Sequence, residues 1–377
     1  MKSYLFAPGP TPVPERVLLR MAAPIMHHRE KVFEEVFEEV REGLKYLFQT
    51  EQEVLMLTSS GTGAMEGAVT NLFSKGDEVL VVRAGKFGQR WGELAEAYGL
   101  VPTFADFSWG EPADVAAISE ILEKRPGIRG ILIQASETST GVMHPIREIA
   151  ALTSKREDVI LVVDGITAVG VFEMPMDAWG IDVVVTGSQK ALMLPPGLAF
   201  ISLSEKAWRF AERSTTPRYY FDLKKHLVSA RKNQTPYTPA ISLIIGLHEV
   251  LAMIKDEGLE EVFRRHHRLA DATRSAVKAM GLELFAKSSP SDALTAVVVP
   301  DGIDGLALKK AFLERYGITV AGGQDHVKGK IIRIAHLGYF DPMDMFQVIG
   351  AFEMALHSMG YAIELGSGLK VLAEKLA

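Results

Sequence analysis

Ile181-Asp182-Val183-Val184-Val185-Thr186-Gly187-Ser188-Gln189-Lys190-Ala191-Leu192, with Pro195-Pro196-Gly197 close behind, organises the reading of the whole chain. The first half is an apolar run of the kind that fills a buried strand. The second half leaves that strand through small polar residues and reaches a lysine. Such a lysine is poorly placed for ordinary solvation. It is well placed to carry a carbonyl cofactor as a Schiff base. The ordinary alternative is a strand-end lysine reaching for water, and the rest of the chain decides between the two.

Outward from this stretch, apolar runs alternate with helical spacing. Strands are predicted over 53–57, 78–82, 130–133, 159–163, 183–185 and 198–204, with a helix reaching residue 73 after the first. Runs without polar alternation, separated by helices, indicate a mostly parallel sheet covered on both faces. The fold class is therefore α/β. In such sheets ligands bind beyond the carboxyl ends of the strands. Ser60, Thr138, Asp164 and Lys190 all fall there.

Residues 8–14, Pro-Gly-Pro-Thr-Pro-Val-Pro, exclude helix and central strand and read as an extended arm. A helix follows over 29–49, with Val32, Phe33, Val36, Phe37, Val40, Leu44, Leu47 and Phe48 at the spacing of one buried face. A long helical region runs from residue 239 to 280. Beyond it lie a strand at 296–299, a helix at 304–315, a segment at 317–320 and a strand at 330–335, a smaller α/β unit. Asp341-Pro342-Met343-Asp344 opens its next helix with a cap, a proline and an acid. The division expected is an arm over 1–15, a large domain over 16–263 and a small C-terminal domain over 264–377.

The chain has 377 residues, 47% hydrophobic and 23% charged, ordinary for a globular protein with room for a large core. A net charge of −6 argues against nucleic acid, which selects a basic face. With no cysteine, thiol nucleophiles and thiolate metal sites are excluded. No apolar stretch reaches the ~20 residues of a membrane span. The first residues lack the apolar core of a signal peptide, so the expected location is the cytoplasm.

Thr58-Ser59-Ser60-Gly61-Thr62-Gly63 joins a strand to a helix, and its free N–H groups and hydroxyls suit a phosphate. Glycines at 61, 63 and 67 imitate a dinucleotide fingerprint, but the next strand ends Val82-Arg83-Ala84-Gly85 without the acid that holds a ribose. Asp164 ends a strand buried on both faces, where a carboxylate needs a cation or a donor. It either caps the following turn or keeps a pyridine nitrogen protonated, the partner that pyridoxal phosphate (PLP) requires beside a Schiff-base lysine. Phe87 is either core or a stacking residue, its flanking glycines allowing close approach. Arg333, inside an apolar strand, needs an anion: a structural partner or a substrate carboxylate, at about 1.5–3 kcal/mol per charged hydrogen bond. His27-His28 and His266-His267 read as solvated or capping histidines and not as a metal site.

Together these residues resemble the class V aminotransferases of PLP fold type I, most of all the alanine–glyoxylate and serine–glyoxylate (serine–pyruvate) group. The motifs run from Pro8-Gly9-Pro10-Thr11 through Ser60-Gly61-Thr62-Gly63, Gly88-Gln89-Arg90, Glu137-Thr138-Ser139-Thr140-Gly141, Asp164 and Gly187-Ser188-Gln189-Lys190 to Arg333. The resemblance implies that Lys190 holds PLP and shuttles a proton. It pairs Asp164 with the ring nitrogen, Thr138 with the ring hydroxyl and Ile166 with one ring face. Phe87 stands where the family often places tryptophan. Ser60, Gly61, Thr62 and Gln189 would hold the phosphate, and Arg333 with Gly9 the substrate. A homodimer is also implied, with a loop of the partner completing the site. Asn233-Gln234-Thr235-Pro236-Tyr237-Thr238-Pro239 is that loop here, Tyr237 leading, then Thr238 and Thr235.

The implied reaction moves an amino group from a small amino acid, alanine or serine, to glyoxylate or pyruvate. An acidic donor would need another cation, for which Arg29 or a partner residue is available. Cysteine desulfuration lacks its acceptor thiol. A PLP lyase or hydrolase of the same fold, and a non-catalytic assembly subunit, are the alternatives.

Overall fold

In the computed structural model, which describes residues 2–377, the alternation becomes one seven-stranded sheet. In chain order its strands are β1 (Val54–Leu57), β2 (Glu78–Arg83), β3 (Val101–Asp106), β4 (Ile128–Gln134), β5 (Ile160–Asp164), β6 (Val183–Gly187) and β7 (Ala199–Leu203). They lie in the order β1-β7-β6-β5-β4-β2-β3. β7 pairs antiparallel with β1 and β6, and the remaining pairings are parallel. β1, β5, β6 and β7 are buried along their whole length, which is why their sequences are continuous apolar runs. β3 is the strand the sequence reading misses. It lies at the sheet edge, largely uncovered, with Pro102 opposite Val79. Proline is tolerated there because one side of the strand needs no ladder donor.

The first core helices are α1 (Lys31–Phe48), α2 (Gly61–Leu72) after β1, and α3 (Lys86–Ala97) after β2. α1 buries Phe33, Phe37, Val40, Leu44, Leu47 and Phe48. Val32, expected on that face, is 51% exposed, so the stripe is narrower than its spacing suggests. The expected single helical region past residue 239 is two helices, α4 (Ile241–Glu257) and α5 (Leu259–Ala279), broken at Gly258 with φ 86°. A left-handed glycine ends a helix and re-aims the chain.

A second core surrounds a three-stranded antiparallel sheet of β8 (Leu294–Val298), β9 (Ala321–Gly322) and β10 (Ile331–Ala335), with β10 in the middle. Asp341 and Asp344 form a reciprocal capping box at the start of the helix Pro342–Ser358. α5 runs unbroken through residue 263, giving Leu259 and Val262 to the first core and Leu269 and Ala272 to the second. The first residues are stitched to the second core: Tyr4–Leu5 pairs in parallel with Ile318–Thr319, and Phe6 stacks on Phe340 at 5.2 Å. Among the described residues no helix is long and apolar enough to cross a membrane.

Candidate active site

β5 and β6 are adjacent and parallel, and their carboxyl ends deliver Asp164 and Lys190 to one cavity of about 100 Å³. Ser60, Gly61 and Thr62 from the start of α2 line the same cavity. So do Phe87, Thr138, Ile166 and Gln189. Residues spread over 130 positions of sequence thus share one wall (60 to 190) because each follows a strand of the same sheet.

Lys190 donates through Nζ to the Pro8 carbonyl at 2.5 Å. A Cβ on Gly9 would stand 1.9 Å from that nitrogen, so position 9 must stay bare. Thr11 completes the clasp, its N–H donating to the Gln189 carbonyl at 3.2 Å and its hydroxyl to the Lys190 carbonyl at 2.8 Å. Burial lowers the Lys190 amine to about 8, Asp164 opposes that, and Arg333 and Arg90 add to it. Asp164 accepts the Ile166 N–H at 2.8 Å. Burial pushes its carboxyl up to about 7, against the pull of the Ile166 bond. A carboxylate this dry favours a cation beside it.

α2 opens at Ser60, which is extended and whose hydroxyl makes no capping bond. The first N–H groups of a helix have no acceptor within it. Free hydroxyl, free N–H groups and helix dipole make an anion cradle. Gly61 is bare because a Cβ there would fall 2.3 Å from Cδ1 of Ile166. Gln189 turns in a buried carboxamide whose Oε1 has no partner. The two ends of a carboxamide exchange by a flip, so it can offer a donor to an anion.

The glycines around Phe87 serve a different purpose from the one expected. They admit protein and not a ligand: a Cβ at Gly85 would meet Glu137 at 2.4 Å, and one at Gly88 the Val82 carbonyl at 2.5 Å. Arg90, part of the Gly88-Gln89-Arg90 motif, also lines the cavity. Its guanidinium lies 5.0 Å over the Phe87 ring and donates to the Thr62 hydroxyl at 3.2 Å. The i, i+3 spacing from Phe87 was the available signal. Ser136 and Thr167 complete the wall and were not foreseen.

Arg333 projects from the middle strand of the small sheet. Its Nε donates to the Gly322 carbonyl at 2.9 Å and its Nη1 to the Thr138 carbonyl at 2.7 Å. Backbone carbonyls hold it where a structural acid was the alternative. Burial lowers it to about 10, and Glu137 opposes the shift. A guanidinium oriented by neutral acceptors keeps its charge for a ligand.

The loop 233–239 stays clear of this chain's own cavity. Tyr237 donates to the Tyr219 carbonyl at 3.0 Å and stacks on Tyr220, while Thr235 and Thr238 line a separate cleft with it. Arg41 and Arg29 tie the start of that loop through Asn233 and Gln234. Arg29 is therefore outside the cavity too. His266, expected to be solvated or capping, is a buried strut between the Val262 carbonyl and the Gly338 N–H at 2.7 and 2.9 Å. His27 and His267 make local bonds to Arg29 and Asp292. Among the described residues no cluster of three metal-ligating side chains occurs.

The family described as "Aminotransferase class-V" matches residues 3–338. The "Soluble hydrogenase 42 kDa subunit" of Anabaena cylindrica is 42% identical over 375 residues, covering 99% of this chain and 97% of that one. The "L-aspartate--glyoxylate aminotransferase" of Paracoccus denitrificans is 39% identical over 376 residues, covering 98% and 95%. Among solved structures, ureidoglycine-glyoxylate aminotransferase from Bacillus subtilis superposes with a TM-score of 0.94 at 29% identity, covering 100% of this chain and 98% of that one.

Proposed function

The chain belongs to the class V aminotransferases, and from that premise we propose that it transfers an amino group from a small amino acid, alanine or serine, to glyoxylate. It is a PLP-dependent transaminase. The residues fit that group: a partnerless buried carboxamide and a free helix terminus for the phosphate, an acid at one end and an amine at the other. When bound, PLP supplies an aldehyde carbon and an electron-accepting ring.

The chain's own residues do the rest. Asp164 would hold a proton on the pyridine nitrogen, and a cation there would relieve the desolvation that raises its carboxyl. Lys190, its amine lowered by burial to about 8, would take the substrate's α-proton in its neutral form and return a proton two bonds away, at the carbon the cofactor supplies. Arg333 receives the α-carboxylate in bidentate fashion, fixing which Cα bond faces Lys190. Thr138 would serve the ring hydroxyl, and Phe87 and Ile166, which line the same cavity, would pack against the ring. The convergence of Lys190 and Asp164 on one cavity is the observation that carries this reading.

We extend it to a cytoplasmic homodimer. The loop 233–239 turns away from its own cavity beside Tyr219, which is 73% exposed, as a loop serving a second copy would. Glyoxylate as acceptor is supported by the names of the aminotransferase relatives. Their named donors differ, so the donor rests on the resemblance alone.

The 42% identity to a protein named as a hydrogenase subunit favours a second reading, an assembly subunit that keeps the fold. Half-reaction spectra decide between them. The loaded protein is mixed with single amino acids, then with glyoxylate, pyruvate or 2-oxoglutarate. Loss of the cofactor band with alanine or serine, and its return with glyoxylate, is expected. No conversion with any donor overturns the transaminase reading, and ammonia release without an oxo-acid requirement points to the lyase or hydrolase alternative.

A further inference from the structure

The N-terminus of α3 has no cap of its own, since Gly85 before it carries no side chain. Its first three N–H groups are satisfied from a segment about fifty residues away. Lys86 N–H donates to the Ser139 hydroxyl at 3.0 Å. The N–H groups of Phe87 and Gly88 both donate to Oε2 of Glu137, at 3.0 and 3.1 Å. Gln134 Nε2 reaches the same oxygen at 3.0 Å. The other oxygen, Oε1, accepts the Ser139 N–H at 3.1 Å and its hydroxyl at 2.5 Å.

Glu137 is fully buried, and all five partners are donors. The group acts as acceptor alone, the role of an ionised carboxylate at the positive end of a helix dipole. Burial pushes its carboxyl upward, and the donors pull it back. Burying a carboxylate is a costly way to cap a helix when serine or aspartate at position 85 would do it locally. What the arrangement adds is location. Two of its bonds end on the backbone of Phe87 and Gly88. The next residue, Thr138, lines the cavity and gives its carbonyl to Arg333 at 2.7 Å.

We propose that Glu137 is a positioning residue that locks Phe87 against the cofactor ring and, through Thr138, holds Arg333 in the same frame. This rests on the reading of Phe87 as the stacking residue. The Glu137 carboxylate itself stays off the cavity wall and would not touch substrate.

The test is a double-mutant cycle on Glu137→Gln and Phe87→Ala. Each cofactor-free variant is titrated with PLP, and the absorbance maximum of the bound form is recorded. Glu137→Gln should weaken binding about tenfold, the scale of one lost charged hydrogen bond. It should also shift the band in the same direction as Phe87→Ala. The double variant should bind within about twofold of the weaker single variant, because both changes remove one interaction. Multiplied effects, with Phe87→Ala itself weakening binding, would overturn the role of Glu137 alone. Unchanged affinity and spectrum in Phe87→Ala would overturn the stacking reading and this proposal with it, while leaving transamination intact. Should Glu137→Gln fail to fold, Ser139→Ala runs the same cycle. About threefold weaker, non-multiplicative binding supports the proposal, and unaltered binding sinks it.

Discussion

Lys190 and Asp164 share a dry cavity in which burial moves the two groups toward one another, the amine down to about 8 and the acid up to about 7. Lys190→Ala is expected to abolish the absorbance of covalently held cofactor. Turnover should fall about 10²–10⁴-fold, the contribution of a positioned general base, as steady-state kinetics would read. Asp164 has a further signature in the cofactor-free protein. Between its ordinary value of 3.8 and about 7 the folded chain binds more protons at this site than the unfolded chain. Unfolding free energy therefore falls as pH rises through that window. Lys190 acts in the opposite sense at higher pH, adding stability as pH climbs from about 8 to 10.5. Asp164→Asn should remove the decline between pH 4 and 7, roughly 2–4 kcal/mol at 1.4 kcal/mol per unit. Urea midpoints against pH would show it, and an unchanged slope would exclude Asp164 as its source. Asp164 and Arg333 were legible because each breaks an apolar strand, and Lys190 because it follows one through small polar residues. Glu137 was not: the two of its five partners that tie it to Phe87 and Gly88 are backbone N–H groups about fifty positions upstream, and a backbone donor leaves no mark in a sequence.

At the scale of elements, glycine positions carry more of the site than their turns alone suggest. Gly61 opens α2 directly under Ile166, and a Cβ there would push the Ile166 side chain out of its present place. Gly61→Ala should cost about 1–3 kcal/mol by overpacking and weaken cofactor binding by moving both Ile166 and the cradle. Thermal midpoints with and without PLP would separate the two effects; equal losses in both would assign the glycine to stability alone. The buried strands were read correctly from their unbroken apolar runs. β3 was missed because an edge strand can hold proline and polar residues without cost, and the break at Gly258 was missed because apolar spacing continues through it.

Across the whole molecule, the two cores meet through α5 and through the first residues of the chain. Phe6 belongs to the second core and lies five positions before Thr11, which clasps Lys190. Phe6→Ala should cost about 3–5 kcal/mol by the usual cavity scale, measured as a denaturant midpoint. It should also loosen the bond from Lys190 to Pro8, so cofactor capture slows along with the loss of stability. The proposed homodimer with a shared active site makes a separate prediction. Lys190→Ala and Tyr237→Ala protomers, each inactive or weak alone, should regain activity when mixed and re-associated, since one of the two sites in a mixed pair keeps both residues. Activity that stays at the average of the parents would exclude Tyr237 as a contribution to the neighbouring copy.

The pairing of Tyr4–Leu5 with Ile318–Thr319 has a consequence for how the protein is made. On the ribosome Tyr4–Leu5 emerge early, yet their partner strand is translated more than three hundred codons later. The carbonyl that seats the reactive amine waits, unplaced, through most of synthesis. Nascent chains should thus acquire full competence to trap pyridoxal phosphate only after residues 318–319 have been made, and chains stalled before codon 318 should fail to do so however well the large sheet has formed.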